Sequence, residues 1–239
     1  MGIDIELPDN KRKAPMDSPK TFFIWGATMS GKSYLAEHFP NPFFINTDDN
    51  AEKAGLPNYQ LKNIQNRDGS MKLSVIDEID ALMLKLSTAN KGYETVVIDT
   101  IEDVVDLIEQ AILVENGVQT LNDMGYGKGF SLQKQIVVGF VLELRALPLN
   151  VGFVSRLDDA SQDANGATVE RPALKTKWYN IVNGNSDLTI RTRKVERNYT
   201  RMLTDKRKDY VRDQIKDHKI LHILDNVPGV FPRQTTTNK

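Results

Sequence analysis

The chain has 239 residues, 40% hydrophobic and 26% charged, with a formal net charge of −1. That is enough for one sizeable core, and no apolar run is long enough to span a membrane. There is no cysteine, which excludes disulfides, cysteine-ligated zinc and thiol catalysis, and a cytoplasmic location is the simplest expectation. The small net charge hides a division. Residues 1–170 carry 15 Lys/Arg against 25 Asp/Glu, and residues 171–239 carry 16 against 7. An acidic body followed by a basic portion fits a surface for a polyanion, or a merely solvated basic face.

In chain order, residues 1–20 are polar and read as a flexible leader. Residues 21–25 (Thr-Phe-Phe-Ile-Trp) read as a buried strand. They run into Gly26, Ala27, Thr28, Met29, Ser30, Gly31, Lys32 and Ser33, the phosphate-loop pattern of Gly, four residues, then Gly-Lys-Ser. A helix over 34–39 should follow. Phe43, Phe44 and Ile45 form a second strand ending in the acidic turn Thr47, Asp48, Asp49, Asn50. Residues 56–69 read as a loop and 70–88 as one amphipathic helix. Val96, Val97 and Ile98 make a third strand ending in Asp99, and Ile101, Val104, Val105, Ile108 and Ile112 stripe the helix after it. Residues 122–129 form a glycine-punctuated connector, 130–147 a helix, and 151–154 a fourth strand closed by Ser155 and Arg156. Beyond a polar loop at 157–167, strands are predicted at 188–193 and 199–203 in hairpin order. A short charged helix is predicted at 209–219, a last strand at 220–224 and a frayed tail from 234.

Short apolar strands alternating with amphipathic helices predict an α/β fold, a mostly parallel sheet flanked by helices. A short β-rich C-terminal extension should follow. The domain reading is leader 1–20, ATPase core 21–203, and basic extension and tail 204–239. Ligands in such sheets bind at the carboxyl ends of the strands. The phosphate loop, Asp48/Asp49, Asp99 and Ser155/Arg156 all fall at that end.

The loop's residue types dictate a chemistry. Glycines let the backbone fold around an anion, and the amides opening the next helix point positive charge at it. Residues 26–33 should therefore bind the phosphates of ATP, with Lys32 on the β- and γ-phosphates and the Ser33 hydroxyl on Mg²⁺. Asp99 belongs near the same ion, usually through water. Hydrolysis needs a group to orient the attacking water, usually a carboxylate on a neighbouring strand. Among Asp48, Asp49, Glu78 and Asp80, Asp48 is the choice, against a simple Asx turn. Ser155 is placed to sense the γ-phosphate, or is simply a strand-end serine.

Other residues point to a polyanion. Lys128 sits in the loop Gly125-Tyr126-Gly127-Lys128-Gly129, and Arg171, Lys175 and Lys177 precede Trp178 and Tyr179. Mobile, cationic and aromatic is the mixture that single-stranded nucleic acid needs, although a tryptophan such as Trp178 is more often core than platform. Arg191, Arg193 and Lys194 lie at strand spacing, the first two on one face. They suit either a cation reaching a neighbouring subunit's ATP or a phosphate-contacting surface.

Over roughly 21–203 the chain resembles the RecA-like P-loop ATPases that bacteriophages encode as single-strand annealing recombination proteins. Residues 26–33, 44–48, 96–100, 126–129, 151–156 and 171–174 carry the likeness. The resemblance implies a RecA-like P-loop NTPase core that binds ATP, Mg²⁺ and single-stranded DNA. It implies a homo-oligomeric ring or filament, cooperation with a single-strand DNA-binding protein, and a place in the host cell cytoplasm. It makes Asp48 the hydrolytic carboxylate. Two other functions fit the phosphate loop: a small-molecule P-loop kinase, with 171–177 imitating a lid, and a non-catalytic nucleotide-dependent assembly protein.

Overall fold

Every residue of the first strand, β1 (Thr21–Gly26), is buried. Phe22 and Ile24 point to one side of the sheet, Phe23 and Trp25 to the other, as a strand covered on both faces requires. The computed structural model describes residues 9, 18–48, 50–158 and 169–232. The phosphate loop leads from β1 into α1 (Lys32–Glu37). Then come β2 (Pro42–Asn46), α2 (Asn50–Lys53), β3 (Asn58–Gln60), β4 (Ile64–Gln65), β5 (Met71–Leu73) and α3 (Val75–Thr88). They are followed by β6 (Thr95–Asp99), α4 (Ile101–Glu115), α5 (Lys128–Ala146), β7 (Asn150–Asp158) and β8 (Arg171–Pro172). The last elements are α6 (Thr176–Asn185), β9 (Leu188–Val195), β10 (Asn198–Lys206) and α7 (His218–Asp225).

The main sheet runs β10-β9-β1-β7-β6-β2-β3, with β8 paired to β7. From β9 to β3 every neighbouring pair is parallel, and β10 is antiparallel to β9. The chain leaves β1 for β2, returns through β6 and β7, and then crosses to β9 on the other side of β1. Strand order therefore reverses beside β1, where open α/β sheets form their ligand crevice. This is the α/β architecture that the alternation of strands and helices predicts.

One face of the sheet packs Phe23, Trp25, Ile98 and Phe153 against α3, α4, α5 and α6. The other packs Phe22, Ile24 and Ile190 against Leu35, Phe39 and the apolar side of α7. β10 runs across residue 203, the edge assigned to the core, and the chain beyond it contributes Tyr210, Ile215, Ile220 and Ile223 to this second face.

Several local expectations change. Residues 56–69 contain β3 and β4 rather than loop alone, and 70–88 is not one helix. Met71–Leu73 pairs with β4, and α3 begins only where the Ser74 hydroxyl caps it, accepting from the Ile76 N–H at 3.3 Å. Residues 220–224 are helical, not a strand. Ile220, Ile223, Leu224 and Val227 recur at helical spacing, and Asp217 caps α7 by accepting from the Lys219 and Ile220 amides. The charged stretch ahead of it holds only a short 3₁₀ turn, Arg212–Gln214. The leader, apart from residues 9 and 18–20, and the tail lie outside the described residues, as do Asp49 and 159–168. No described helix is long and apolar enough to cross a membrane.

Gly26, at the end of β1, lies close against Thr192 of β9. A Cβ there would overlap the Thr192 carbonyl oxygen and lie 2.6 Å from its Oγ1. Gly26→Ala is expected to lower the unfolding free energy by about 1–3 kcal/mol in urea denaturation. An unchanged midpoint would show that the loop can move away from Thr192 without loss.

Candidate functional site

The phosphate loop is held by short-range contacts on both sides. The Ser30 amide donates to the Ala27 carbonyl at 3.2 Å, and the Ser30 and Thr192 hydroxyls share a hydrogen bond at 2.6 Å. Gly31, at φ 88° and ψ 24°, takes the left-handed turn that admits the chain into α1, a conformation that glycine adopts freely. Met29 also has positive φ, 60°, costly for a side-chain-bearing residue and characteristic of functional loops. No described side chain caps α1, so the amides of its first turn are left for another acceptor, the arrangement that receives an anion. Ala27, Thr28 and Met29 are exposed, and Ser30 is buried.

Lys32 is largely buried and lies across the loop, its Nζ donating to the carbonyls of Gly26 at 2.9 Å and Ala27 at 2.8 Å. Burial pulls its pKa below the ordinary lysine value, and the charges of Asp99 and Glu102 act against that. The Ser33 hydroxyl donates to Asp99 Oδ2 at 2.8 Å. The hydroxyl opens α1 and the carboxylate ends β6, so the contact spans the end of β7, which lies between β1 and β6. Burial raises the Asp99 carboxyl above its usual range, while the Ser33 hydrogen bond and the Lys32 charge lower it. A hydroxyl and a carboxylate at this separation offer hard oxygen ligands suited to Mg²⁺, which takes its remaining ligands from phosphate and water. The residues therefore fit that ion.

A second cluster ties the neighbouring strand ends together. Arg156, after β7's buried stretch, forms a fork-shaped pair with Asp103, one arm at 2.9 Å. Its backbone N–H donates to Glu102 Oε1 at 2.8 Å. Thr47 Oγ1, just past β2, donates to Asp103 Oδ2 at 3.0 Å, and the Thr47 amide donates to the Asp99 carbonyl at 3.3 Å. The first turn of α4 thus clamps the ends of β2, β6 and β7. Glu102 is buried, with no hydrogen-bond partner for Oε2 among the described residues, and burial pushes its carboxyl up despite the Arg156 N–H and the Ser155 hydroxyl. Read from sequence, Glu102 and Asp103 favour only the helix dipole. The signal for their larger role is two adjacent acids opening a helix directly after a strand-end Asp, with an arginine at another strand end.

Asp48 is exposed beside this cluster. Its charge helps raise the Asp99 carboxyl and the Arg156 guanidinium, which places it near both. Ser155 is fully buried, and its hydroxyl donates to the Arg156 carbonyl at 3.2 Å. Lys32, Ser33, Asp48, Asp99 and Arg156 therefore converge on one rim, with the Ser155 hydroxyl turned inside.

The basic residues fall into separate groups. Lys177 on α6 lies 5.6 Å from the Phe130 ring of α5 and 4.1 Å from the Trp178 ring. Lys128 opens α5, Arg171 opens β8, and Lys175 precedes α6. Trp178 is 1% exposed and belongs to the core, so it is no stacking platform. The aromatic surfaces open to solvent here are Tyr126 and Phe130. On β9, Arg191 is buried against the Trp25 ring at 4.9 Å and paired with Glu170, which also binds Arg193. Lys194 lies over the Tyr199 ring at 5.3 Å. Arg193 and Lys194 are the two of this trio that stand at the surface.

A family model described as an AAA domain matches residues 18–218 of the chain. No curated protein matches it.

Glu102 supports a stability test. Glu102→Ala leaves the half-buried Arg156 N–H without its acceptor and is expected to cost about 1–2 kcal/mol in chemical denaturation. Glu102→Gln keeps the acceptor and is expected within about 1 kcal/mol of the parent. Burial raises the Glu102 pKa in the folded state, so its contribution to stability is complete below the unfolded pKa and is lost as pH rises through the raised one. That loss should be absent in the Gln variant. Equal effects of Ala and Gln would remove the hydrogen bond from the account.

Proposed function

The chain belongs to the AAA domain family, a family of P-loop ATPases, and from that premise we propose that it hydrolyses ATP with Mg²⁺ and couples turnover to single-stranded DNA. On this reading it is a phage-encoded recombination protein that promotes annealing or strand pairing in the host cytoplasm. It works as a homo-oligomer, ring or filament, beside a single-strand DNA-binding protein. The observation that carries the nucleotide half is the meeting of Lys32, Ser33 and Asp99 at the strand ends.

The residues divide the work. Lys32 releases the Gly26 and Ala27 carbonyls for the β- and γ-phosphates, while the amides of Met29, Gly31, Lys32 and Ser33 hold the remaining oxygens. Ser33 Oγ and, usually through water, Asp99 would hold Mg²⁺, which would supply positive charge against the phosphates. Asp48 accepts a hydrogen bond from the attacking water and takes its proton. Arg156, anchored by Asp103, supplies positive charge on the γ-phosphate side of the rim. Arg193 and Lys194 are the surface cations for a neighbouring subunit's nucleotide. The DNA half rests on the basic portion after residue 170 and on Lys128, Arg171, Lys175 and Lys177 beside the exposed rings of Tyr126 and Phe130.

ATP turnover with and without single-stranded DNA across a salt series tests both halves. Turnover is expected to rise with DNA, and apparent DNA affinity to fall with salt at a log–log slope of about 0.7 per phosphate contacted. Asp48→Asn is expected to lower kcat by about 10²–10⁴-fold. No stimulation by DNA despite normal ATP binding would remove the recombination reading. Transfer of phosphate to a nucleoside rather than to water would replace it with a kinase.

A further inference from the structure

The rim described above is polar on one side only. Asp48, Asp99, Glu102, Asp103 and Arg156 lie toward β6, β7 and β2. On the opposite side of the phosphate loop, toward β9 and β10, the character changes. A cavity of about 480 Å³ opens there, lined by Met29, Gly31, Lys32, Ser33, Tyr34 and Tyr199. Its size lies within the range of small-molecule sites, about 300–1,000 Å³. Lys32 and Ser33 belong to both the phosphate loop and this cavity, so the two spaces are continuous. Its other side chains are large and exposed to water: Met29 is 82% exposed, Tyr34 59% and Tyr199 59%. Three such surfaces gathered at one mouth mark a binding site more than chance exposure does.

Each ring is held in place. Tyr34 follows Ser33 directly on α1 and lies against the His38 ring, centroids 4.5 Å apart. Tyr199 sits on edge strand β10 opposite Lys194, whose Nζ lies 5.3 Å from the ring centroid. Tyr199 also packs on the loop itself, since a Cβ at Gly31 would stand 3.1 Å from its Cδ1. An aromatic face fixed beside the phosphate loop, with room in front of it, suits a flat ring attached to the phosphates.

We propose that the base of the bound nucleoside triphosphate lies in this cavity, stacked on Tyr199 with Met29 and Tyr34 completing the walls. The inference rests on the nucleotide reading above and adds the base subsite. Among the described residues, no carboxylate or amide side chain lines the cavity. Selection at this wall is therefore by ring area, and a purine, with two fused rings, is favoured over a pyrimidine. The triphosphate runs across the N-terminus of α1, its γ end toward Asp99 and Asp48 and its α end toward Tyr34.

The test is equilibrium binding, with Mg²⁺, of ATP, CTP and inorganic tripolyphosphate to the wild-type chain, Tyr199→Ala and Tyr199→Phe. Base–aromatic stacking predicts that Tyr199→Ala weakens ATP binding by about 5- to 150-fold. Tyr199→Phe should restore it, ATP should exceed CTP in the wild type, and tripolyphosphate should bind all three proteins alike. Unchanged ATP affinity in Tyr199→Ala would overturn the base subsite, as would an equal loss for tripolyphosphate, which would mean that Tyr199 acts by shaping the loop. Wild-type chain that binds tripolyphosphate but holds ATP no tighter would overturn the base subsite alone. Wild-type chain that takes neither would overturn the phosphate site and the subsite with it.

Discussion

β1 and β6 are not neighbours, yet the hydroxyl that follows one and the carboxylate that ends the other stand 2.8 Å apart. That juxtaposition is possible because α1 starts directly above the sheet edge and carries Ser33 over the end of β7. Residues up to Gly26 are fixed by β1's pairing with β7 on one side and β9 on the other. Asp99 is fixed by β6's pairing with β2 and β7. The strands are buried on both faces, so a shift of register would carry several large apolar side chains out of contact. The core thereby sets the position of two oxygens far more rigidly than any loop would, and magnesium and phosphate chemistry tolerates little looseness.

The same edge concentrates charge in a place with limited access to water. Lys32, Asp99 and Glu102 are all partly or wholly buried, and burial shifts each toward its neutral form. Such groups are costly unless paired. Here they share partners: Lys32 acts on Asp99 and Glu102, and Arg156 answers Glu102 and Asp103. Asp103 in turn collects Thr47 from the next strand. The arrangement joins the three strand ends that face the γ-phosphate position to a single helical turn. On the far side of the phosphate loop the environment is aromatic, so one sheet edge presents an acidic half and an apolar half to a single elongated ligand.

Much of this was legible in the amino-acid sequence. β1 and β6 announce themselves as short apolar runs, and each ends in a residue with a recognisable job, Gly26 and Asp99. Their convergence follows from parallel topology alone. α7 reads as a strand because Ile220, Leu221, Ile223 and Leu224 satisfy a short strand as readily as a helix, and only the distant contacts with Phe22 and Ile24 decide between them. α3 is shorter than its sequence pattern suggests because residues 71–73 continue its polarity, although they pair with β4. Trp178 reads in sequence as core more often than as a stacking platform, and core it is, since a tryptophan's surroundings are set by whatever packs on it from elsewhere in the chain. The clamp of Glu102, Asp103 and Arg156 links positions more than fifty residues apart in sequence, and no local pattern reports such a pair. Tyr34 and Tyr199 escaped notice for the same reason, being brought together only by the β9–β10 hairpin folding back over the loop.

The account turns on a triphosphate being held by this edge. Equilibrium binding of Mg²⁺-ATP to the wild-type chain and to Lys32→Ala, each checked for an unchanged fold by circular dichroism, tests it most directly. The wild type should bind, and loss of the lysine should weaken binding by on the order of a hundredfold, as expected when a desolvated charge loses its partner. Equal affinity in the two proteins, or no binding by either, would contradict it.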